Sequence, residues 1–283
     1  FFFKQKTAYE IVDCDWSSDV CSSDLATANA VPVAGSASGI NLLSKLAASP
    51  LRHKPFDYVY MEGVFSPDFY RRLRAALPAT DRYRELKHEH AMMADGHSTR
   101  RKFYLYPEHL WFLPAANRAV LREVARLMMA PETQAAFKQK FRAAIERRFG
   151  CSIDRLDFHP VPILVRDLGG YKIGIHADSP RKAIQVQFYL PRDDRQMHLG
   201  TVFHEGRSGE AAQRTVAMKF APASAYSFPV VQQGSWHSVP QTSTADGERD
   251  SLMLTYYVQK NGLERLLNKL KRVAVFVGYY FRR

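Results

Sequence analysis

The chain has 283 residues, 46% hydrophobic and 24% charged, with a formal net charge of +12. That balance excludes a largely disordered or collagen-like chain. The absence of any run of 18 apolar residues excludes a standard membrane-spanning helix, and three cysteines are too few for a disulfide scaffold.

Residues 1–25, FFFKQKTAYEIVDCDWSSDVCSSDL, have neither a helical nor a strand period, and lack the parts of a signal peptide. The string resembles translated sequencing-adapter sequence; the other reading is a disordered tail, and neither carries function. It holds two lysines and five acidic residues, a net of −3, so the rest of the chain carries +15. It also holds two of the three cysteines. The remaining Cys151 reads as a small structural residue, in a reducing, cytoplasmic compartment.

Residues 26–54, rich in Ala, Ser and Gly, read as a linker with one short helix near Leu42–Ala48, and order is expected from about Pro55. FDYVYMEGVF suits a strand. In SPDFYRRLRAAL, Ser66 is placed to cap a helix whose first residue is Pro67. Residues 84–102 are polar, contain His88, His90 and His97, and read as a loop. AANRAVLREVARLMM and PETQAAFKQKFRAAIERRFG predict two helices, completing a helical part over 66–149, with Leu127, Met128 and Met129 as core fillers.

After Gly150 the texture changes. Runs rich in β-branched and aromatic residues occupy 157–166, 171–178, 182–190, 200–205, 214–220, 224–230, 235–240 and 249–259. Eight short strands with turn signals between them predict a jelly roll over 151–260 and exclude a βαβ fold. In AIQVQFYL, Gln185, Gln187 and Tyr189 share one side, suited to lining a site. Ile184, Val186, Phe188 and Leu190 share the other, suited to packing on the helices.

The chemistry is expected at His176-Ala-Asp178, His237 and Arg249-Asp-Ser251. Residues two apart on a strand project together, so His176 and Asp178 would face one point, joined by His237 from another strand. Two imidazoles and one carboxylate form the facial triad of non-haem Fe(II) oxygenases, leaving ligand positions open. Arg249 and Ser251 also share a face, and a guanidinium fork beside a hydroxyl suits a carboxylate. His198 and His204 lie near these strands without a carboxylate two residues away, and read as surface or supporting groups. Trp236 reads as core rather than as a stacking platform. The clusters Arg71-Arg72-Leu-Arg74, Arg100-Arg101-Lys102 and Arg147-Arg148 read as solvated faces.

Residues 55–260 resemble the Fe(II)- and 2-oxoglutarate-dependent oxygenase superfamily, in its bacterial prolyl-hydroxylase-like branch. The resemblance rests on FDYVYMEGVFSPDFYRRLRAALP, GGYKIGIHADSPRKAIQVQFYLPRDDRQMHLGTVFH, GSWHSVP and RDSLMLTYYV. It implies an α+β double-stranded β-helix (a cupin-like jelly roll) with N-terminal helices packed on one sheet. It further implies His176, Asp178 and His237 as iron ligands. Arg249, with Ser251 and Tyr189, would bind the distal carboxylate of 2-oxoglutarate, with Tyr171 lining the site. The implied activity consumes 2-oxoglutarate and dioxygen and hydroxylates a small molecule, a sugar or a protein side chain. Two departures stand out: Arg249 follows His237 by 12 residues, stretched by an acidic turn, and His198-Leu-Gly-Thr201 replaces a Gly-Gly-x-Leu pattern.

Two other classes compete. One is a non-catalytic jelly-roll binding or scaffold protein; the other is a nucleic-acid-modifying oxygenase, suggested only by charge, since no nucleic-acid-binding module is evident. Residues 261–283 predict a basic amphipathic helix with Leu263, Leu266, Leu267 and Leu270 on one face. It ends in an apolar run, 273–281, too short to span a bilayer. Packing on the jelly roll or forming a homodimer is favoured for it over contact with an anionic membrane surface.

Overall fold

The computed structural model describes residues 39–87, 92–93, 95–259 and 262–280. The segment 1–25, the first half of the expected linker, and His88 and His90 lie outside the described residues.

The helical part comprises α1 (Leu42–Ala48), β1 (Val59–Met61), α2 (Pro67–Ala75), β2 (Arg84–Glu85), β3 (Arg100–Tyr104), α3 (Pro107–Leu110), α4 (Ala115–Met129), α5 (Pro131–Lys140) and α6 (Arg142–Phe149). The β-part follows as β4 (Asp157–Asp167), β5 (Ile173–His176), β6 (Lys182–Tyr189), β7 (Val202–His204), α7 (Gly209–Gln213), β8 (Thr215–Ala217), β9 (Ala225–Pro229), β10 (Trp236–Val239) and β11 (Arg249–Gln259). α8 (Gly262–Tyr280) closes the described chain.

Two antiparallel sheets result, ordered β1-β9-β6-β11-β4-β3-β2 and β5-β10-β7-β8. Along the chain the strands from β4 onward pass back and forth between them, which is the winding of a double-stranded β-helix. The fold is therefore α+β, with helices covering one face of the larger sheet. The period-two pattern explains the two cores. Ile184, Val186, Phe188, Leu252 and Leu254 face outward and join Leu121, Val124, Met128, Phe137 and Ile145 of the helices. On the inner side Phe56, Tyr58, Phe203, Phe220, Tyr226 and Phe228 fill one end of the barrel. Each such buried side chain contributes about 1.5–3 kcal/mol.

Four expectations need correction. Order starts before Pro55: Leu42 and Leu46 of α1 are buried, and Ile40 bridges Phe65. The small residues flanking this helix mask its two anchoring leucines. Residues 84–102 are not wholly loop, because β2 and β3 extend the larger sheet, with β3 pairing along β4. The second long helix is broken at Phe141, which is buried and leaves helical geometry at φ −111° and ψ 17°. Trp236 is only half-buried, its indole N–H donating to the Gln233 carbonyl.

The C-terminal helix docks by a different face from Leu266, Leu267 and Leu270, while the side chain of Leu263 lies outside the described residues. Arg272 lies over the Tyr106 ring at 4.2 Å and pairs with Glu108. Tyr279 is buried and donates to the Arg82 carbonyl at 2.6 Å, while Arg84 donates to the Tyr279 carbonyl. His109 is enclosed by the rings of Phe276, Tyr279 and Tyr280, and neither of its ring nitrogens has a hydrogen-bond partner. Leu266, Leu267, Leu270, Val273 and Val277 face solvent instead. An apolar stripe read from sequence does not say whether it is covered, and here arginine and tyrosines hold the helix.

Removing residues 262–283 would uncover Tyr106, His109 and Phe103. Losing two or three buried aromatic contacts, at about 2 kcal/mol each, should lower Tm by roughly 5–15 °C. Thermal unfolding of the truncated protein checks this, and an unchanged Tm would show the docking contributes nothing.

Candidate metal and carboxylate site

His176 ends β5, and its Cα partner across the sheet is His237 on β10. Their rings lie 4.2 Å apart, centroid to centroid. Asp178 is not on the strand but two residues past its end, where Lys182, the first residue of β6, holds its Oδ1 at 2.5 Å. The three side chains offer ligand atoms that all lie within 4.8 Å of one another.

Their hydrogen bonds prepare them for a cation. Nδ1–H of His176 donates to the Gly174 carbonyl and that of His237 to the Ser235 carbonyl, each at 2.9 Å. This assignment puts the lone pair of each imidazole on Nε2. Asp178 Oδ2 is buried and has no hydrogen-bond partner. Burial and the neighbouring His237 push His176 down to about 4, and burial likewise lowers His237. Burial alone would raise Asp178, but Lys182 and the two histidines outweigh it and hold the carboxyl down to about 2. At neutral pH the cluster is two neutral imidazoles and one carboxylate. That donor set, which includes a buried carboxylate oxygen without a hydrogen-bond partner, fits a divalent transition metal.

One wall of the barrel carries the residues expected to bind a carboxylate. Arg249 is fully buried. Its Nε donates to the Leu199 carbonyl at 2.7 Å and its Nη1 to Asp167 at 2.8 Å, while Nη2 is buried with no partner. Ser251 accepts from Gln187 Nε2 at 3.0 Å, and Gln187 Oε1 accepts from Tyr226 at 2.5 Å. The Tyr189 hydroxyl accepts from the Thr201 backbone N–H at 2.8 Å, and its ring lies 5.7 Å from the Arg249 guanidinium. Tyr171 is fully buried, its hydroxyl has no partner, and the Arg100 guanidinium lies over its ring at 4.5 Å. Gly200 makes the approach of Thr201 feasible, since a Cβ there would lie 1.5 Å from the Met218 carbonyl oxygen.

The structure thus groups His176, Asp178 and His237, and groups Arg249, Ser251, Tyr189 and Tyr171. It leaves out the three other described histidines that the sequence set near a site. His204 is spent on Ala212 and Ser238, His198 on Arg195 and Asp246, and His97 on Glu85. Sequence reasoning missed Asp167, Arg100 and Lys182. Arg100 is no solvated residue: it pairs with the fully buried Asp167 through Nε at 2.7 Å and Nη2 at 3.3 Å. A signal existed, because Arg-Asp occurs both at 166–167 and at 249–250, and antiparallel pairing of those dipeptides sets each Arg opposite an Asp.

Comparison of the chain with protein-family models finds no match, and comparison with curated proteins finds none. Solved structures of similar shape include an oxidoreductase of the 2OG-Fe(II) oxygenase family from Burkholderia pseudomallei. It is 15% identical, with 71% of this chain and 85% of that one covered and a TM-score of 0.45. A prolyl-4-hydroxylase from Pseudomonas putida is 13% identical over 77% of this chain and 97% of that one, TM-score 0.48. HygX from Streptomyces hygroscopicus, with nickel, 2-oxoglutarate and hygromycin B bound, is 11% identical over 71% and 82%, TM-score 0.44. Likenesses this distant concern the fold and decide nothing about the site. Fold and geometry together define a double-stranded β-helix protein with a two-histidine, one-carboxylate cluster able to hold a metal.

Removing Asp178 should remove metal binding, since Ala offers no ligand. Titration of Mn(II) or Ni(II) into Asp178→Ala should show affinity at least ~100-fold below the parent, and parental affinity would exclude this cluster. The histidines give a second prediction. His176 and His109 are both held at about 4, against 6.5 for a free imidazole. The unfolded chain then takes up protons before the folded one. Stability is complete above about pH 6.5 and drains as pH falls toward 4, by roughly 2 kcal/mol per histidine at pH 5. Urea unfolding of the metal-free protein at pH 7.5 and pH 5 measures this, and equal stability at both would contradict it.

Proposed function

We propose that the protein is a non-haem Fe(II) dioxygenase that couples oxidative decarboxylation of 2-oxoglutarate to hydroxylation of a substrate. The observation that carries this reading is the pairing of two sites in one barrel: a metal-ready cluster, and a buried guanidinium with one unsatisfied N–H edge. His176 and His237 would hold the iron through Nε2, and Asp178 through its unpartnered Oδ2. When bound, the iron supplies the dioxygen and one-electron chemistry that no side chain here provides.

The chain's own residues do the positioning. Arg249 Nη2, fixed in direction because Nε and Nη1 are already engaged, receives the distal carboxylate of 2-oxoglutarate. Ser251, Tyr189 and Tyr171 stand beside it as neutral hydroxyls. Burial raises Tyr171 well above the usual phenol range and Tyr189 to about 12, so both stay protonated and able to donate. Lys182 holds Asp178 by its other oxygen, fixing the ligand's direction. Arg100, Arg249 and Lys182 against Asp167 and Asp178 leave a charge of +1. A divalent metal raises that to +3, and a dicarboxylate returns it to +1, which favours their joint binding.

The substrate is a small molecule, a sugar or a protein side chain. The exposed leucine and valine face of α8 offers either a homodimer contact or contact with an anionic membrane surface. No helix among the described residues is long and apolar enough to cross a membrane.

The test is turnover. Full-length protein with Fe(II), 2-oxoglutarate and dioxygen should form succinate, and a cell extract incubated with it should yield a metabolite or peptide heavier by one oxygen atom. His237→Ala should form none. Succinate formation that persists in His237→Ala would exclude this cluster as the catalytic centre, and a parent that binds metal yet never consumes 2-oxoglutarate would favour a non-catalytic binding protein.

A further inference from the structure

Asp167 sits where a carboxylate-binding arginine should least tolerate it. It is fully buried, and its Oδ2 accepts from Arg249 Nη1 at 2.8 Å. An aspartate in that position cancels the charge of Arg249 and repels any carboxylate approaching Nη2. The structure answers with a second arginine. Arg100, on the added strand β3, donates through Nε to Oδ1 at 2.7 Å and through Nη2 to Oδ2 at 3.3 Å. Arg100 and Arg249 are both Cα partners of Asp167, one on each side, so three adjacent strands align the triad. Its charge is +1, with the free edge on Arg249.

We propose that Arg100 is a positioning residue for ligand-carboxylate recognition. It neutralises Asp167, so Asp167 can orient Arg249 without cancelling it. The inference rests on the reading of Arg249 as a carboxylate site, and extends it to a residue that touches no ligand. The division of labour is physical. Asp167 and the Leu199 carbonyl fix two edges of the Arg249 guanidinium, while Arg100 supplies the compensating charge. The edge strand β3 is then part of the site's electrostatics, not only a border of the sheet.

The experiment is calorimetric titration of 2-oxoglutarate into full-length protein loaded with Zn(II), a redox-inert stand-in for iron. Arg100→Gln keeps hydrogen-bond donors but removes the charge, and should weaken binding ~10- to 100-fold. Zn(II) affinity should not change. Arg100→Gln with Asp167→Asn restores the triad's net charge and should bring affinity back to within ~3-fold of the parent. Arg100→Lys, which keeps charge but loses the fork, should stay within ~5-fold. Should Arg100→Gln fail to fold, the double variant and Arg100→Lys still decide the matter.

Parental affinity in Arg100→Gln would overturn the proposal. So would a double variant as weak as Arg100→Gln, since that pattern marks a merely structural contact. Loss of binding in a folded Arg100→Lys would overturn it too. Arg249→Gln in the same series separates the two readings. If Arg249→Gln loses binding while Arg100→Gln does not, only the role of Arg100 falls. If Arg249→Gln binds like the parent, the carboxylate site itself falls, and the role of Arg100 with it.

Discussion

Two crossed ion pairs between β4 and β11 hold the architecture in register. The strands pair over their full length, with Arg249 opposite Asp167 and Asp250 opposite Arg166. Successive residues point to opposite sides, so one pair faces the barrel interior and the other faces the helices. There Asp250 accepts from Arg166 at 2.7 Å and from Arg74 of α2 at 2.9 Å. A slip of β11 by one residue would turn both of its charges to the wrong sides and set Arg249 opposite Arg166 or Asp250 opposite Asp167. Breaking one such buried pair costs about 3–5 kcal/mol, so the register is strongly specified. Because β11 also pairs with β6, the same lock places Ser251 opposite Tyr189 and sets the wall of the site.

The same economy governs the site. The buried charges come in compensated groups, Asp178 with Lys182 and Asp167 with two arginines, and the wall lined by Ser251 and Gln187 is neutral. Gln187, Tyr226, Thr201 and Ser251 satisfy one another there. A neutral, satisfied network costs little to bury and does not compete for an anion. Among the buried polar atoms without partners are Asp178 Oδ2, Arg249 Nη2 and the Tyr171 hydroxyl, which the proposed ligands would satisfy; Tyr83, Arg101, His109, Thr133 and Tyr256 carry the others. Buried polar atoms left unpaired are costly, so each of the first three sets a demand that a bound ligand would meet.

Much of this was legible in the sequence. All eight barrel strands were, because a half-buried strand writes its alternation into the residues, as in AIQVQFYL. The metal cluster was legible because H-x-D and a later His are few and chemically distinctive. What failed to show depends on pairing between distant segments. RRKFY looks solvated until β3 is seen lying along β4, where Arg100 meets Asp167. Asp167 itself precedes Leu-Gly-Gly and passes for a turn residue. Asp178 was expected on the strand but lies past its end, where Lys182 rather than the pleat holds it. In α8 the helical period was plain, yet the docked face is the one carrying Arg272, Phe276 and Tyr279. Periodicity measures segregation of side chains, not which face a neighbour occupies.

The account joins one metal cluster and one carboxylate site in a single barrel, and diffraction can see both at once. Crystals grown with Mn(II) and 2-oxoglutarate, measured at a wavelength where manganese scatters anomalously, provide the test. The account predicts one anomalous peak among His176, Asp178 and His237, at about 2.0–2.3 Å from its ligands. It also predicts density for the dicarboxylate reaching from that peak to Nη2 of Arg249. A manganese peak elsewhere, or a ligand whose far carboxylate avoids Arg249, would contradict it.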